Sequence, residues 1–289
     1  MARRTVVVCI VLALSVGFVA VADRYRMIAW DVRALVASPG GIDRLASYLS
    51  EVDAQYIHLG GIDPSDAPAV SGLLPLQGGH SLAAWSAIQP LREGIFTPAV
   101  KTPIGTSTVL CGDVDDVGFV SSDSNYWLQL DFGKTFAAVI GFEFTPRSDE
   151  CRDDIVREGE AEAIRLSSLL RIGHVGEVIL LGAVNDVDGD VPDASSHQPA
   201  TDVLRLLKDP DDTMCGVEFF NVCELLPQAE RYTAMWRGAP IQLDYIFVTR
   251  VLRSMVKRVW IDHQAPTVPG AERWPVFLDL EICPASTAS

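Results

Sequence analysis

Apolar residues recur along this chain with two periods, and most of the chain divides cleanly between them. From Glu177 to Ala183 a β-branched and leucine run carries no charge after its first residue. It predicts a buried strand that breaks at Gly182 into a polar loop holding Asn185, Asp186, Asp188 and Asp190. Tyr25–Val32 and Gln55–Leu59 predict two more strands. Tyr126–Asp131 alternates, and Phe136–Phe144 follows it across the turn at 132–135, which predicts a β-hairpin. A helical period appears in Ile42–Val52, where Ile42, Leu45, Ala46, Leu49 and Val52 share a face. It appears again in Ile155–Ile172, where Ala161, Ile164, Leu166, Leu169 and Leu170 supply most of the apolar face and Gly173 stands at the C-cap position. Thr201–Leu207 predicts a short helix. Asp63–Ser107 is rich in Pro and Gly and predicts loops, with one short helical signal around Ser81–Leu91. Asp113, Asp115 and Asp116 mark a solvated turn, and Arg147–Asp154 a charged loop.

Residues 1–22 are of different material. Arg3 and Arg4 precede an uncharged run from Thr5, which ends in the small residues Ala20-Val21-Ala22 before Asp23. That layout predicts a secretory signal over residues 1–22, followed by a domain over residues 23–289 in a secreted or periplasmic protein. The alternative is a retained anchor through residues 5–22, the one route by which a membrane becomes a partner. The chain of 289 residues is 48% hydrophobic and 21% charged, enough for a sizeable core. Its formal charge of -15 repels phosphate backbones, and the densest basic segment, Arg250–Arg258, has only four basic residues, so nucleic acid is disfavoured as a partner. Beyond Cys9, the cysteines are Cys111, Cys151, Cys215, Cys223 and Cys283. Their odd number leaves at least one thiol over, and no spacing suggests zinc. Asp186-x-Asp188-x-Asp190 has the opening of a calcium loop, but Val191 and His197 stand at its sixth and twelfth positions. An EF-hand is therefore rejected, leaving room only for a weak Ca2+ site.

Several segments together resemble one family. Leu180-Leu181-Gly182-Ala183-Val184-Asn185-Asp186 resembles the Leu-x-Gly-Asp-Phe-Asn-Asp strand end of the endonuclease/exonuclease/phosphatase superfamily, a metal-dependent phosphoesterase fold. Trp30-Asp31-Val32-Arg33 is similar to its first strand end, Trp-Asn-Val-Arg, and Leu59-Gly60-Gly61 to its Leu-Gln-Glu. Val191-Pro192-Asp193-Ala194-Ser195 resembles its Pro-Asp-Ser turn. Tyr232-Thr233-x-x-Trp236 and Asp244-Tyr245-Ile246-Phe247-Val248 resemble its Tyr-Thr-x-x-Trp and Asp-Tyr-Ile-Phe-Val. Ala271-Glu272-Arg273-Trp274-Pro275-Val276 stands where the family has Ser-Asp-His-x-Pro-Val. The resemblance runs from about Tyr25 to Ile282. It implies an α/β fold, a two-layer β-sandwich of mixed sheets flanked by helices, which accounts for hairpins and helix-linked strands in one chain.

The same resemblance implies a damaged site. The family's metal-binding Glu falls on Gly61, its general-base Asp on Ala183 and its His on Arg273, while Glu143 lies near a second His position. Arg273 cannot act as a base, because a guanidinium stays protonated. The remnant cleft would be Asp31, Asn185, Asp186, Asp244, Glu272 and Arg273. Asp244 is expected to be buried and bonded to backbone or to Asn185. His58 is expected to be a core or edge histidine. The leading expectation is a catalytically inactive module without a cofactor that binds a small anion or a protein partner. Two alternatives stand beside it. One is a phosphoesterase with a rebuilt Mg2+ or Mn2+ site drawing on Asp31, Asn185 and Asp186, with Asp244, Glu143 or Glu272 in support. The other is a structural envelope or secreted module.

Overall fold

The computed structural model describes residues 23–52, 54, 56–62, 66, 69–70, 82–83, 94–97, 101–102, 105–106, 126–131, 136–148, 151–209 and 218–282. The N-terminal segment 1–22, the acidic turn at Asp113–Asp116, the turn at 132–135 and the cysteines Cys111, Cys215 and Cys283 lie outside the described residues. In chain order the strands are β1 (Asp23–Asp31), β2 (Tyr56–Gly60), β3 (Leu82–Ala83), β4 (Gly94–Thr97), β5 (Lys101–Thr102), β6 (Gly105–Thr106), β7 (Tyr126–Asp131), β8 (Phe136–Glu143), β9 (Gly176–Ala183), β10 (Phe219–Asn221), β11 (Ala234–Trp236), β12 (Ala239–Ile241), β13 (Asp244–Thr249), β14 (Val256–Ile261) and β15 (Val276–Ile282). The helices are α1 (Arg33–Ala37), α2 (Gly41–Glu51), α3 (Cys151–Val175), α4 (Val203–Lys208) and α5 (Arg250–Arg253).

Two sheets form the sandwich. One is six-stranded in the order β14-β15-β1-β2-β4-β3, the other five-stranded in the order β10-β13-β9-β8-β7. Each mixes directions. β1 runs parallel to β2 and antiparallel to β15; β8 runs parallel to β9 and antiparallel to β7. Parallel neighbours need a crossover, and helices supply it: α1 and α2 between β1 and β2, and α3 between β8 and β9. The β7–β8 pair is the hairpin read from the sequence.

Alternation sorts the core into three layers. Tyr25, Met27, Ala29, Val139, Ile179, Leu181, Ile246, Val248 and Leu278 meet between the sheets. Ile28, Trp30, Ile57, Leu59 and Phe277 face the other way and pack under Leu35, Leu45 and Leu49 of α1 and α2. Ala138, Ile140, Leu180 and Phe247 take Ala161 and Ile164 of α3 and Leu204 and Leu207 of α4.

Three sequence readings are corrected. α3 begins at Cys151, inside the expected charged loop, and runs through Gly173 to Val175. Asp153 and Asp154 sit in its first turn, where carboxylates favour the helix dipole, and the Ser148 hydroxyl donates to Asp153 at 2.5 Å. Leu82–Ala83, placed within a short helical signal, is a strand paired with β4. The stretch 63–107, expected as loops, carries the short strands β3 to β6. Among the described residues no helix is long and apolar enough to cross a membrane.

Candidate functional site: a cleft floor of paired charges

The inward alternation that builds the core continues past it at one end of the sandwich. Two residues beyond Ala29 is Asp31, two beyond Leu181 is Ala183, and two before Ile246 is Asp244. Register makes them neighbours: Asp31 pairs with Gly60 in the first sheet, and in the second Ala183 lies between Glu143 and Asp244. Three carboxylates therefore meet at the ends of four inward-facing strands. All are buried: Asp31 is 6% exposed, Glu143 5% and Asp244 1%. Burial at such a density disfavours unpaired charge, so the carboxylates need partners.

Arginines supply them. Arg273, in the connection before β15, donates from Nη1 to Asp244 Oδ2 at 2.9 Å and from Nη2 to Asn185 Oδ1 at 2.9 Å. Asp31 Oδ2 lies 3.6 Å from Nη2, an ion pair rather than a hydrogen bond. The Arg273 backbone is itself held, by a β-bridge to Ala234 and by Trp30 Nε1, which donates to its carbonyl at 3.1 Å. Asn185 is preset for its role. Its backbone takes a φ of 58°, a left-handed conformation that asparagine tolerates, and its Nδ2 donates to the Phe144 carbonyl at 2.7 Å. A carbonyl only accepts, so the amide oxygen is the end left for Arg273. On the other side Arg33 pairs with Glu143, whose Oε2 also accepts from the Gly61 N–H at 2.8 Å. That contact joins the two sheets across the cleft.

Sequence reasoning named Asp31, Asn185, Asp244 and Arg273 as one remnant cleft, and the structure brings these four together. Asp244 is buried as expected, but its partners are Arg273 and the Thr233 hydroxyl, which accepts from its N–H at 3.0 Å. Asp186 and Glu272 do not join. Asp186 accepts from the N–H groups of Ala200 and Thr201 and from the Thr201 hydroxyl at 2.6 Å, so it anchors the entry to α4. Glu272 Oε1 accepts from the Gly270 N–H at 3.0 Å, within its own turn. Arg33 was missed, although it stands two residues beyond Asp31 and its N–H donates to Asp31 Oδ1 at 3.0 Å.

The acidic loop is equally committed. Lys208 Nζ lies 2.7 Å from both Asp188 Oδ1 and Asp190 Oδ2, and Asn221 donates to the other Asp188 oxygen at 3.1 Å. Asp193 accepts from the Ser195 and His197 N–H groups and lies 2.8 Å from His197 Nδ1. Lys208 thus stands between Asp188 and Asp190, while Asp186 turns to the Ala200 and Thr201 N–H groups. Among the described residues no group of three or more His, Cys, Asp or Glu is placed to hold a metal ion. Cys151 is a free exposed thiol and Cys223 a free buried one, whose pKa burial pushes up to about 12, so it stays protonated.

A divalent cation of the kind the resemblance implies does not fit these residues as they stand. Gly61, where that resemblance places a metal-binding Glu, has a φ of +74°, and a Cβ there would lie 2.5 Å from Arg33 Cβ and 2.6 Å from Asp31 Oδ1. The cradle is closed to any side chain. The Arg273 guanidinium takes the place between Asp31, Asn185 and Asp244.

Electrostatics at the floor follow from burial. Burial pushes the Asp244 carboxyl up to about 6, against the pull of Arg273. Burial also works against the Arg273 charge, but Asp244 and Asp31 outweigh it and hold its pKa above the ordinary value. Below the floor, His58 on β2 is 1% exposed, and burial pushes its pKa down to about 4, against a backbone bond to Phe142 and the field of Asp31. It is a neutral core histidine at pH 7, as expected from the sequence. Its folded pKa lies below the ordinary 6.5, so the unfolded chain takes up the proton first and stability falls as pH drops from about 6.5 to about 4. Wild type is expected to lose about 3 kcal/mol more than His58→Gln between pH 7 and pH 4. Asp244 acts in the opposite sense over a similar window, and the difference between the two proteins cancels it. Urea midpoints at both pH values check this; parallel losses would show that His58 is protonated without penalty.

The fold is the α/β sandwich of mixed sheets expected from the resemblance, endonuclease/exonuclease/phosphatase-like in its architecture. The chain is similar in structure to the 3' phosphatase NExo from Neisseria bound to product DNA hairpin, with a TM-score of 0.61 and 15% identity over 89% of this chain and 99% of that one. The same figures hold for the 3'-5' exonuclease NExo from Neisseria meningitidis. Truncated Caenorhabditis elegans TDP2 matches with a TM-score of 0.59 and 11% identity over 89% of this chain and 97% of that one. No protein-family model and no curated protein matches the sequence.

Proposed function

We propose that this chain is an exported, catalytically inactive member of that superfamily, acting as a binding module. One observation carries the reading. Each carboxylate on the cleft floor answers to an internal arginine, Glu143 to Arg33 and Asp31 and Asp244 to Arg273. Metal-assisted phosphoryl transfer needs a cation to neutralise developing charge and a base to activate water. Here an internal guanidinium already answers each carboxylate, and the residue between Glu143 and Asp244 is Ala183, whose methyl accepts no proton. A rebuilt metal site drawing on Asp186 or Glu272 loses support, because both are spent on their own loops. The binding role draws on the guanidinium edges left at the cleft mouth. The Arg33 side chain is 40% exposed and that of Arg273 20%. A small anion or an acidic protein surface suits them, and the overall charge of -15 disfavours nucleic acid.

Loss of one catalytic part typically costs a few kcal/mol of barrier, and loss of several approaches the uncatalysed rate. Wild type and an Asp31→Asn, Glu143→Gln double variant are therefore expected to be indistinguishable on phosphomonoester and phosphodiester substrates with Mg2+ or Mn2+. Metal-dependent turnover in wild type that disappears in the double variant would establish the phosphoesterase instead.

A further inference from the structure

We propose that Arg273 is the resident cation of the cleft: its guanidinium occupies a divalent-cation site that the chain otherwise retains, and removing that side chain exposes the site. Three oxygens converge on it from separate parts of the chain. Asp31 Oδ2 comes from the end of β1, Asp244 Oδ2 from the start of β13, and Asn185 Oδ1 from the loop after β9. Two carboxylates and an amide carbonyl are the hard oxygen donors that Ca2+, Mn2+ and Mg2+ prefer. Charge agrees. Two carboxylates with one guanidinium leave a buried net charge of minus one, whereas a divalent ion in the same place leaves none.

The donors are held by bonds that do not involve Arg273. Asp31 Oδ1 accepts from the Arg33 N–H at 3.0 Å, Asn185 is fixed through Phe144 at 2.7 Å, and the Asp244 backbone N–H meets Thr233 at 3.0 Å. A shorter side chain at 273 therefore leaves donors already aimed at one another. It also leaves two buried carboxylates with no counter-charge, a state relieved by protonation, by unfolding or by a cation. The guanidinium also ties the sheets together, since Asp31 belongs to one and Asp244 to the other.

The inference goes beyond the inactive-module reading. Failure of the test below would leave that reading standing, because lack of turnover does not depend on what Arg273→Ala binds. The probes are Mn2+, Ca2+ and Tb3+ on the mature domain. Wild type is expected to show no calorimetric heat with Mn2+ or Ca2+ and no change in melting temperature with either ion or with a chelator. Arg273→Ala is expected to melt lower in chelator and to recover by at least about 5 °C in millimolar Mn2+ or Ca2+. It should bind one Tb3+ per chain, with luminescence sensitised by Trp30. Adding Asp31→Asn to Arg273→Ala should remove the response. Arg273→Lys, which keeps a single charge in place, should fold and ignore the ions. An Arg273→Ala protein that folds but does not respond, or that stays unfolded in metal while Arg273→Lys folds, overturns the proposal. So does a wild type that binds one Mn2+ and loses it on Asp31→Asn.

Discussion

Asp244→Ala is expected to destabilise the protein by about 3–5 kcal/mol at pH 7, one of the largest effects of any single truncation in the cleft. Asp244 is 1% exposed, and its Oδ2 accepts from Arg273 Nη1 at 2.9 Å. Removing the carboxylate leaves a guanidinium that is 20% exposed facing only the Asn185 amide and the more distant Asp31. The cost is that of stranding the arginine rather than the net worth of the pair. For a domain of this size it corresponds to a drop of roughly 10 °C in melting temperature. Asp244→Asn retains an oxygen for Arg273 and should cost less than half as much. Thermal and urea unfolding of the two variants tests this. An Asp244→Ala protein within about 0.5 kcal/mol of wild type would mean that Asp244 is not the partner that keeps Arg273 in place.

Gly61→Glu restores on paper the carboxylate that the superfamily resemblance assigns to this position. It is expected instead to cost about 3 kcal/mol or more and to bind no divalent ion. Two causes add. A φ of +74° is left-handed and strained for any residue with a Cβ, and that Cβ would lie 2.5 Å from Arg33 Cβ, 2.6 Å from Asp31 Oδ1 and 3.1 Å from Arg33 Cα. Arg33 cannot withdraw freely, because its side chain pairs with the buried Glu143 and its N–H is bonded to Asp31. Gly61→Ala meets the same contacts and should lose most of the same stability, which separates crowding from charge. Melts of both variants with and without Mg2+ are the measurement. A Gly61→Glu protein as stable as wild type, or one stabilised by Mg2+, would contradict the closed cradle.

At Gly61 a neighbour has already filled the space that a side chain would need. The same pattern recurs at Gly182, which lies opposite Phe142 in the parallel pair of β8 and β9. A Cβ there would come 1.8 Å from the Phe142 carbonyl oxygen, so the strand end that carries Ala183 tolerates no side chain at that step.

Much of this architecture is legible from local pattern. Period-2 runs around Tyr25–Asp31, Phe136–Glu143 and Glu177–Ala183 place strands and their inward faces, because a side chain on a pleated strand has only two directions to point. The helical face of Ile42–Val52 places α2 in the same way. That the strand ends Asp31 and Ala183, with Asp244, border a cleft, and that Ala183 falls on a general-base position, is what the family resemblance implies rather than what the period shows. The longer extent of α3 was not legible, because a charged first turn reads equally as loop or as helix start.

What the linear pattern does not contain is which distant group answers each charge. Asp186 and Asp244 are both buried aspartates at the mouth of one strand pair. Asp186 is satisfied mainly by donors 14 and 15 residues on, in the loop before α4, with Arg147 at 3.3 Å beside them, whereas the side chain of Asp244 meets an arginine 29 residues away. Asn185 meets the same arginine across 88 residues. Periodicity determines the face a residue presents, since that depends only on its immediate neighbours. The closure of two sheets decides whether a cation from another segment reaches that face, since only their packing brings the β14–β15 connection over the ends of β1, β9 and β13. The sequence by itself determined the strands and their inward faces; the tertiary structure decided that the Arg273 guanidinium bonds Asp244 and Asn185 beside Asp31.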